Sequence, residues 1–307
     1  MSIAPRQKKK EIWTFGGGKG GVGKSLICAN VGIVLSQKGF KVLLVDADFG
    51  AANLHTYVGA NFSEKSLGDF LLDKTENVNQ VISETKISNL FLISGGEDYL
   101  RVSNPSPTQL KKLLHSMHEL EYDYILIDLG AGTTAQTIDI FTQAKKPILV
   151  CVPEPAAVEN TYRFIKYSFL RAFRTSVQNL EVKKFLDQYL LNRQNEVIYK
   201  PQELLQDIAK IDEQAAQVLK GFLHRFTPHL IMNMVRSNQD VRLGFSMCQI
   251  SSKYFGIELD YVGFIESDEA MPALSRSRNP VLIADPFSKS SRGIRRIVDG
   301  LVGKGRT

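Results

Sequence analysis

Residues 16–26 read GGGKGGVGKSL. Gly18 to Ser25 matches G-x-x-x-x-G-K-[ST], the pattern of a phosphate-binding loop. An apolar run, EIWTFG (11–16), precedes it, and a helical pattern follows from about Lys24 to Lys38. This strand–loop–helix context turns a short motif into a site. Glycines let backbone N–H groups close on phosphate oxygens, and the helix N-terminus adds positive potential. Lys24 is placed to reach β- and γ-phosphates, and the Ser25 hydroxyl to bind Mg²⁺. Lys19 is a second lysine in the same loop. Two ammoniums do not readily serve one phosphate from the same side, so Lys19 is either solvated or aimed at the phosphates of another molecule.

Outward from the loop, apolar runs alternate with helical patterns. KVLLVDAD (41–48), NLFLISG (89–95), YDYILIDLG (122–130), KPILVCVPE (146–154), HLIMNMV (229–235) and ELDYVGFI (258–265) read as buried strands. SPTQLKKLLHSMHEL (106–120) reads as a helix with Leu110, Leu113, Leu114 and Met117 on one face. Such alternation predicts an α/β fold, with a mostly parallel sheet covered by helices on both faces. Ligands of such a sheet bind outside the carboxyl ends of its strands. Two of those ends carry acids. Asp46 and Asp48 close the second run, and Asp128 closes YILID. Magnesium needs further oxygen ligands, which makes Asp46 and Asp128 candidates beside Ser25. The alternative for each acid is to cap a helix. Asp48, two residues beyond Asp46, clears the strand end and is placed to orient a water in line with the γ-phosphate.

Bulk properties set the frame. The chain has 307 residues and a formal charge of +6. That length holds one large α/β domain. A basic first segment (1–10) precedes a domain over 11–307, with a helical insertion at about 175–225, where the alternation breaks. Three isolated cysteines, Cys28, Cys151 and Cys248, suggest neither a disulfide framework nor a CxxC metal site. No apolar run is long enough to span a bilayer and no signal core follows the basic start, so the expected compartment is the cytoplasm. The last helix, about Pro286 to Val302, either packs Ile294, Ile297, Val298, Leu301 and Val302 on the sheet or presents Arg292, Arg295 and Arg296 to acidic lipid.

KGGVGKS resembles the deviant Walker A motif of the MinD/ParA family of ATPases, in the SIMIBI class of three-layer P-loop NTPases. The likeness covers most of the chain outside the insertion and the ends. It implies that Gly18, Lys19, Gly20, Gly21, Val22, Gly23, Lys24, Ser25 and Leu26 hold ATP with Mg²⁺. It also implies that Lys19 reaches across an ATP-sandwiched homodimer to the partner's phosphates. VDADFGAANL is similar to the switch I segment, with Asp48 at the catalytic aspartate, and DLGAG (128–132) to switch II. PEPAAVENTYRFIK (153–166) resembles the segment whose glutamate, here Glu154, contacts the partner's nucleotide. Asn233 falls at an adenine-binding asparagine. Asp268 is retained in VGFIESDEAM, although Glu266 replaces the usual proline. ADFGAANL and GAG bring the chain nearest the flagellar-number branch, FlhG or FleN.

The resemblance implies a Mg²⁺-dependent ATPase that toggles between monomer and ATP dimer and positions a cellular structure. A protein activator or cargo would control hydrolysis. Membrane, at its inner face, and non-specific DNA are the two candidate matrices. DNA association is the mark of a ParA-type partitioning ATPase, the alternative reading. An ATP-dependent metal-cluster carrier, another alternative, lacks the CxxC that such carriers use.

Overall fold

The structure is a computed structural model that describes residues 10–50, 52–60, 65–95, 104–192, 201–269 and 280–303. The basic first segment, apart from Lys10, and the residues from 304 onward lie outside it. The strands are β1 (Glu11–Gly16), β2 (Val42–Ala47), β3 (Ile82–Glu84), β4 (Leu90–Ile93), β5 (Tyr124–Leu129), β6 (Lys146–Cys151), β7 (His229–Val235) and β8 (Asp260–Glu266). The helices are α1 (Lys24–Gln37), α2 (Leu54–Tyr57), α3 (Leu67–Leu71), α4 (Pro107–Glu119), α5 (Ala135–Gln143), α6 (Pro155–Ser176), α7 (Leu180–Asn192), α8 (Pro201–Ile211), α9 (Glu213–Arg225), α10 (Asn238–Phe255), α11 (Val281–Ala284) and α12 (Lys289–Gly303).

The strands form one sheet in the order β3-β4-β2-β5-β1-β6-β7-β8. All neighbours run parallel except β3, which pairs antiparallel with β4. The central strands are buried throughout, because helices cover both faces. On β1, Thr14 and Gly16 face α5 and α6: the Thr14 hydroxyl donates to the Phe141 carbonyl, and Phe141 and Phe164 close over Gly16. The other side of β1 carries Trp13 and Phe15, both fully buried, towards α1 and α12.

α12 packs its apolar face on the sheet, and Arg292 and Arg296 stay exposed. Ile294, Ile297, Val298 and Leu301 are at most 1% exposed and join the main core. The Lys146 ammonium donates to the Leu301 carbonyl, and Lys38 pairs with Asp299 at 2.7 Å. The apolar face of α12 is therefore spent on the fold. Among the described residues, no helix is long and apolar enough to cross a membrane.

Between β6 and β7 the described residues make four helices. α6 is 22 residues long, starts with Pro155 at its first turn, and buries Phe164, Ile165, Phe169, Leu170 and Phe173. It runs through Ser176, past the expected start of the insertion. α7, α8 and α9 follow, with Val182, Leu186, Leu204, Ile208 and Leu219 in the core. Arg174 on α6 grips Asp187 on α7 with two bonds of 2.6 and 2.8 Å. Leu180, Leu191 and Val218 remain exposed.

The crossovers bring the carboxyl ends of β1, β2, β5, β6 and β7 to one edge of the sheet. In this register Asp46 on β2 lies directly beside Asp128 on β5. The loop from β1 to α1 sits on the same edge.

Candidate functional site

α1 starts without a side-chain cap and without an acidic residue in its first turn. Its free N–H groups and positive end therefore stand ready for an anion. The N-cap is Gly23, at φ 92° in the left-handed region that glycine adopts without cost. A Cβ there would also lie 2.4 Å from the Asn233 amide nitrogen. That nitrogen donates to the Val22 carbonyl at 2.8 Å, so β7 holds the loop from the side. Gly18 packs still closer, since a Cβ on it would fall 2.0 Å from the Asn160 carbonyl oxygen of α6.

Beside the loop opens a cleft of about 660 Å³. Gly20, Gly21, Gly23, Lys24, Ser25 and Leu26 line it together with Asp48, Asn233 and Asp268. These candidates come from four separate segments of sequence, and the fold brings them to one cavity. Asn53, Tyr57, Ala131, Met234, Arg236, Glu266, Ser267 and Glu269 complete the lining. Sequence reasoning assigned no role to Tyr57, Met234, Arg236 or Glu269. The residue types gave no signal, and only their place beside the loop does.

Lys24 is 7% exposed. Burial pushes its ammonium below the ordinary lysine range, and the charges of Asp128 and Asp48 pull it back part of the way. Asp46 and Asp128 sit one layer behind the lining, each 1% exposed. Asp46 is pushed up to about 6, first by burial, against hydrogen bonds from the Leu54 and Asp48 amides at 2.8 and 3.2 Å. It therefore shapes the loop that carries Asp48. Asp128 rises well above the usual carboxylate range, first through burial and then through the charge of Asp46; Ser25 and Lys24 oppose this. Neither buried carboxylate oxygen of Asp128 has a hydrogen-bond partner of ordinary geometry. A buried, unpartnered carboxylate next to Ser25 fits a hard cation. Of the three acids, Asp128 fits it best. Among the described residues no three His, Cys, Asp or Glu side chains converge as a metal-binding group. The remaining ligands would be phosphate oxygens and water, as is usual for Mg²⁺.

Lys19, Gly18, Val22 and Glu154 stand apart from the lining. Lys19 is exposed but engaged: its ammonium pairs with Glu154 of its own chain at 2.6 Å. Glu154 is the N-cap of α6, and this hydrogen bond holds its carboxyl below the usual range. Asp268 accepts from the Ser290 hydroxyl at 3.0 Å, which ties the far end of the cleft to α12. Met234 takes φ 56°, a conformation that costs an L residue about 1–2 kcal/mol. Cys28 and Cys151 are buried, and burial pushes the Cys151 thiol up to about 11.

Comparison with known proteins places this geometry. A family model described as an AAA domain matches residues 10–182. The flagellum site-determining protein YlxH of Helicobacter pylori is 35% identical over 152 residues, 48% of this chain and 50% of that protein. The antiactivator FleN of Pseudomonas aeruginosa is 22% identical over 284 residues, 92% of this chain and 82% of that one. With the curated MinD proteins the match spans about half of their length. The solved structure of the septum site-determining protein MinD from Pyrococcus horikoshii, complexed with Mg-ADP, superposes with a TM-score of 0.68 at 20% identity, covering 97% of this chain and 98% of that one. This last likeness is one of fold. The chain belongs to the AAA-domain family matched over residues 10–182, as a MinD/ParA-type P-loop protein near the FlhG/FleN branch.

Proposed function

We propose that the protein is a Mg²⁺-dependent ATPase that cycles between a monomer and an ATP-sandwiched homodimer and serves as a positioning switch. The observation that carries this reading is the cleft itself. Lys24, Ser25 and the open start of α1 meet Asp48 in one cavity, backed by the unpartnered Asp128. Lys24 and the loop amides bind the β- and γ-phosphates. Mg²⁺, held by Ser25 and by Asp128 directly or through water, supplies positive charge against the phosphate oxygens when bound. Asp48 orients the attacking water. Asp46 fixes the turn on which Asp48 rides.

Lys19 supplies the second positive charge, in trans. In the single chain Glu154 holds its ammonium, and a partner's triphosphate would take it over. A protein partner then controls hydrolysis and reads the ATP-bound form. The helices α7–α9 are its proposed docking element, because they lie away from the nucleotide cleft and expose Leu180, Leu191 and Val218.

Calorimetry with ATP and Mg²⁺ tests the core of the reading. Wild type is expected to bind. Lys24→Ala is expected to lose at least 100-fold in affinity, since charge-assisted bonds to phosphate are among the strongest polar contacts. Undiminished affinity in that variant would sink the assignment.

A further inference from the structure

One side chain of the cleft stands near Asp128 without bonding to it. Tyr57 is half-buried, its ring packed against the core, and it also lines the cleft. Burial pushes its phenol above the ordinary tyrosine range, and the charge of Asp128 pushes it further. The hydroxyl is therefore protonated at neutral pH, with one hydrogen to donate and lone pairs to accept. Yet neither Asp128 oxygen has a hydrogen-bond partner of ordinary geometry. The two groups feel each other's charge across an unbridged gap. The fold fixes that arrangement. The Leu54 amide at the start of α2 bonds to the Asp46 carboxylate at 2.8 Å, and Asp46 lies directly beside Asp128 in the sheet. α2 also packs on α1, whose first turn carries Ser25. Asn53 and Tyr57, four residues apart, both line the cleft, as one face of a helical turn requires. Tyr57 is thus tethered to the acid pair that backs the phosphate loop.

We propose that the Tyr57 hydroxyl is a positioning group for the cation that accompanies the nucleotide, holding a water of its shell opposite Asp128. The proposal rests on the nucleotide reading of the cleft and adds to it a residue that the phosphate-loop pattern does not contain. Mg²⁺ gives up its waters reluctantly and keeps several of them when bound. Each such water has two hydrogens to donate. Asp128 accepts one, and the phenol oxygen of Tyr57 accepts the other. The phenol's own hydrogen is then available to a phosphate oxygen in the same cleft. Asp128 alone supplies charge but leaves the water able to turn, whereas two acceptors fix its orientation. Tyr57 thereby acts through the cation and its water, and not on the reacting atoms. The ring and the hydroxyl have separate tasks: the ring fills the core beside α1, and the oxygen faces the cation pocket. Phenylalanine keeps the first and removes the second.

The experiment measures ATP binding by calorimetry, with Mg²⁺ and again in EDTA, on wild type and Tyr57→Phe. The variant is expected to bind ATP about fivefold more weakly with Mg²⁺, the worth of one hydrogen bond, and to match wild type in EDTA. Its melting temperature without nucleotide should be unchanged. A second arm repeats the Mg²⁺ titration on Asp128→Asn and on the double variant. Two groups that hold one water are coupled, so Tyr57→Phe should cost less than about twofold once Asp128 is neutral. Equal losses with Mg²⁺ and in EDTA would overturn the proposal, because the hydroxyl would then serve the nucleotide without the cation. So would an unchanged affinity with Mg²⁺, a lowered melting temperature, or a full fivefold loss in the Asp128→Asn background. A wild type that binds ATP equally with and without Mg²⁺ would refute the cation pocket alone. A wild type that binds ATP in neither condition would refute the nucleotide reading as well.

Discussion

Asp46 gives the apo protein a pH dependence of unusual sign. Its carboxyl is pushed from an ordinary 3.8 up to about 6, chiefly by burial, so the folded chain holds the proton more tightly than the unfolded one. The stability tied to the protonated group is complete below pH 3.8 and is lost as the pH rises through about 6. At pH 7 the gap corresponds to about 3 kcal/mol of lost stability. Moving from pH 7 to pH 5 should recover about 1 kcal/mol of it. Asp128 adds to the same sign, since burial and the Asp46 charge raise it as well. Carboxylates held below their ordinary range, such as Glu11 and Asp69, titrate at lower pH and stay out of this window. The assay is urea denaturation of metal-free, nucleotide-free protein at half-unit steps from pH 7 to 5, for wild type and Asp46→Asn. The variant keeps an acceptor for the Leu54 amide and loses the longer bond from Asp48. Its absolute stability will therefore shift, but its slope with pH should be shallower by about 1 kcal/mol across the window. Parallel slopes in the two proteins would mean that Asp46 ionises normally, and the account of a buried acid pair behind the cleft would fail.

Three further outcomes are expected. Gly18→Ala should destabilise the fold by about 1–3 kcal/mol through overpacking against the Asn160 carbonyl, visible as a lower melting temperature; an unchanged one would contradict the close approach of α6 to the loop. Removing residues from Gly293 onward should unfold the chain by circular dichroism. Ile294, Ile297, Val298 and Leu301 are each worth about 1.5–3 kcal/mol buried, which together rivals a typical total stability of about 5–15 kcal/mol. Mixing inactive Lys19→Ala with inactive Asp48→Ala should restore roughly a quarter of wild-type turnover, because about half the dimers are mixed and each has one whole site. Cross-linked mixed dimers without turnover would rule out action in trans.

The phosphate loop and the strand and helix that flank it were legible because their signals are local. Glycine spacing, an apolar run before it and a helix after it all lie within about 25 residues. Asp48 and Asp128 were legible because the carboxyl end of a parallel strand is a position, not a contact. Other features have no local signal. β3 is three residues long and none of them is buried, so no alternation marks it. The continuous α6 hides its end, since its buried aromatic face runs on through Phe173. The bond from Asn233 to Val22 joins residues 211 apart, and that from Lys19 to Glu154 residues 135 apart. Both depend on β6 and β7 lying to one side of β1, which periodicity does not specify. The strained backbone of Met234 is likewise set by the slip against β8, not by anything in its own seven-residue strand.

The two lysines of the loop differ in how firmly they are held, and that difference supports the separate roles proposed for them. Lys24 is buried near two acids that oppose the loss of its charge. It cannot leave, and a phosphate must come to it. Lys19 is paired with an acid at the surface, its side chain 38% and that of Glu154 60% exposed. Charges in such contact with water attract each other weakly. A triphosphate offers several negative oxygens at once, so it can displace a single exposed carboxylate. Glu154 therefore suits a resting partner: it keeps the Lys19 side chain extended towards the start of α6 without holding it against stronger competition. With Lys24 serving the cleft of its own chain, as proposed, the phosphate that claims Lys19 is most economically one presented by a second chain. This is the geometric reason that the mixed-variant experiment, rather than either single substitution, decides what the second lysine does.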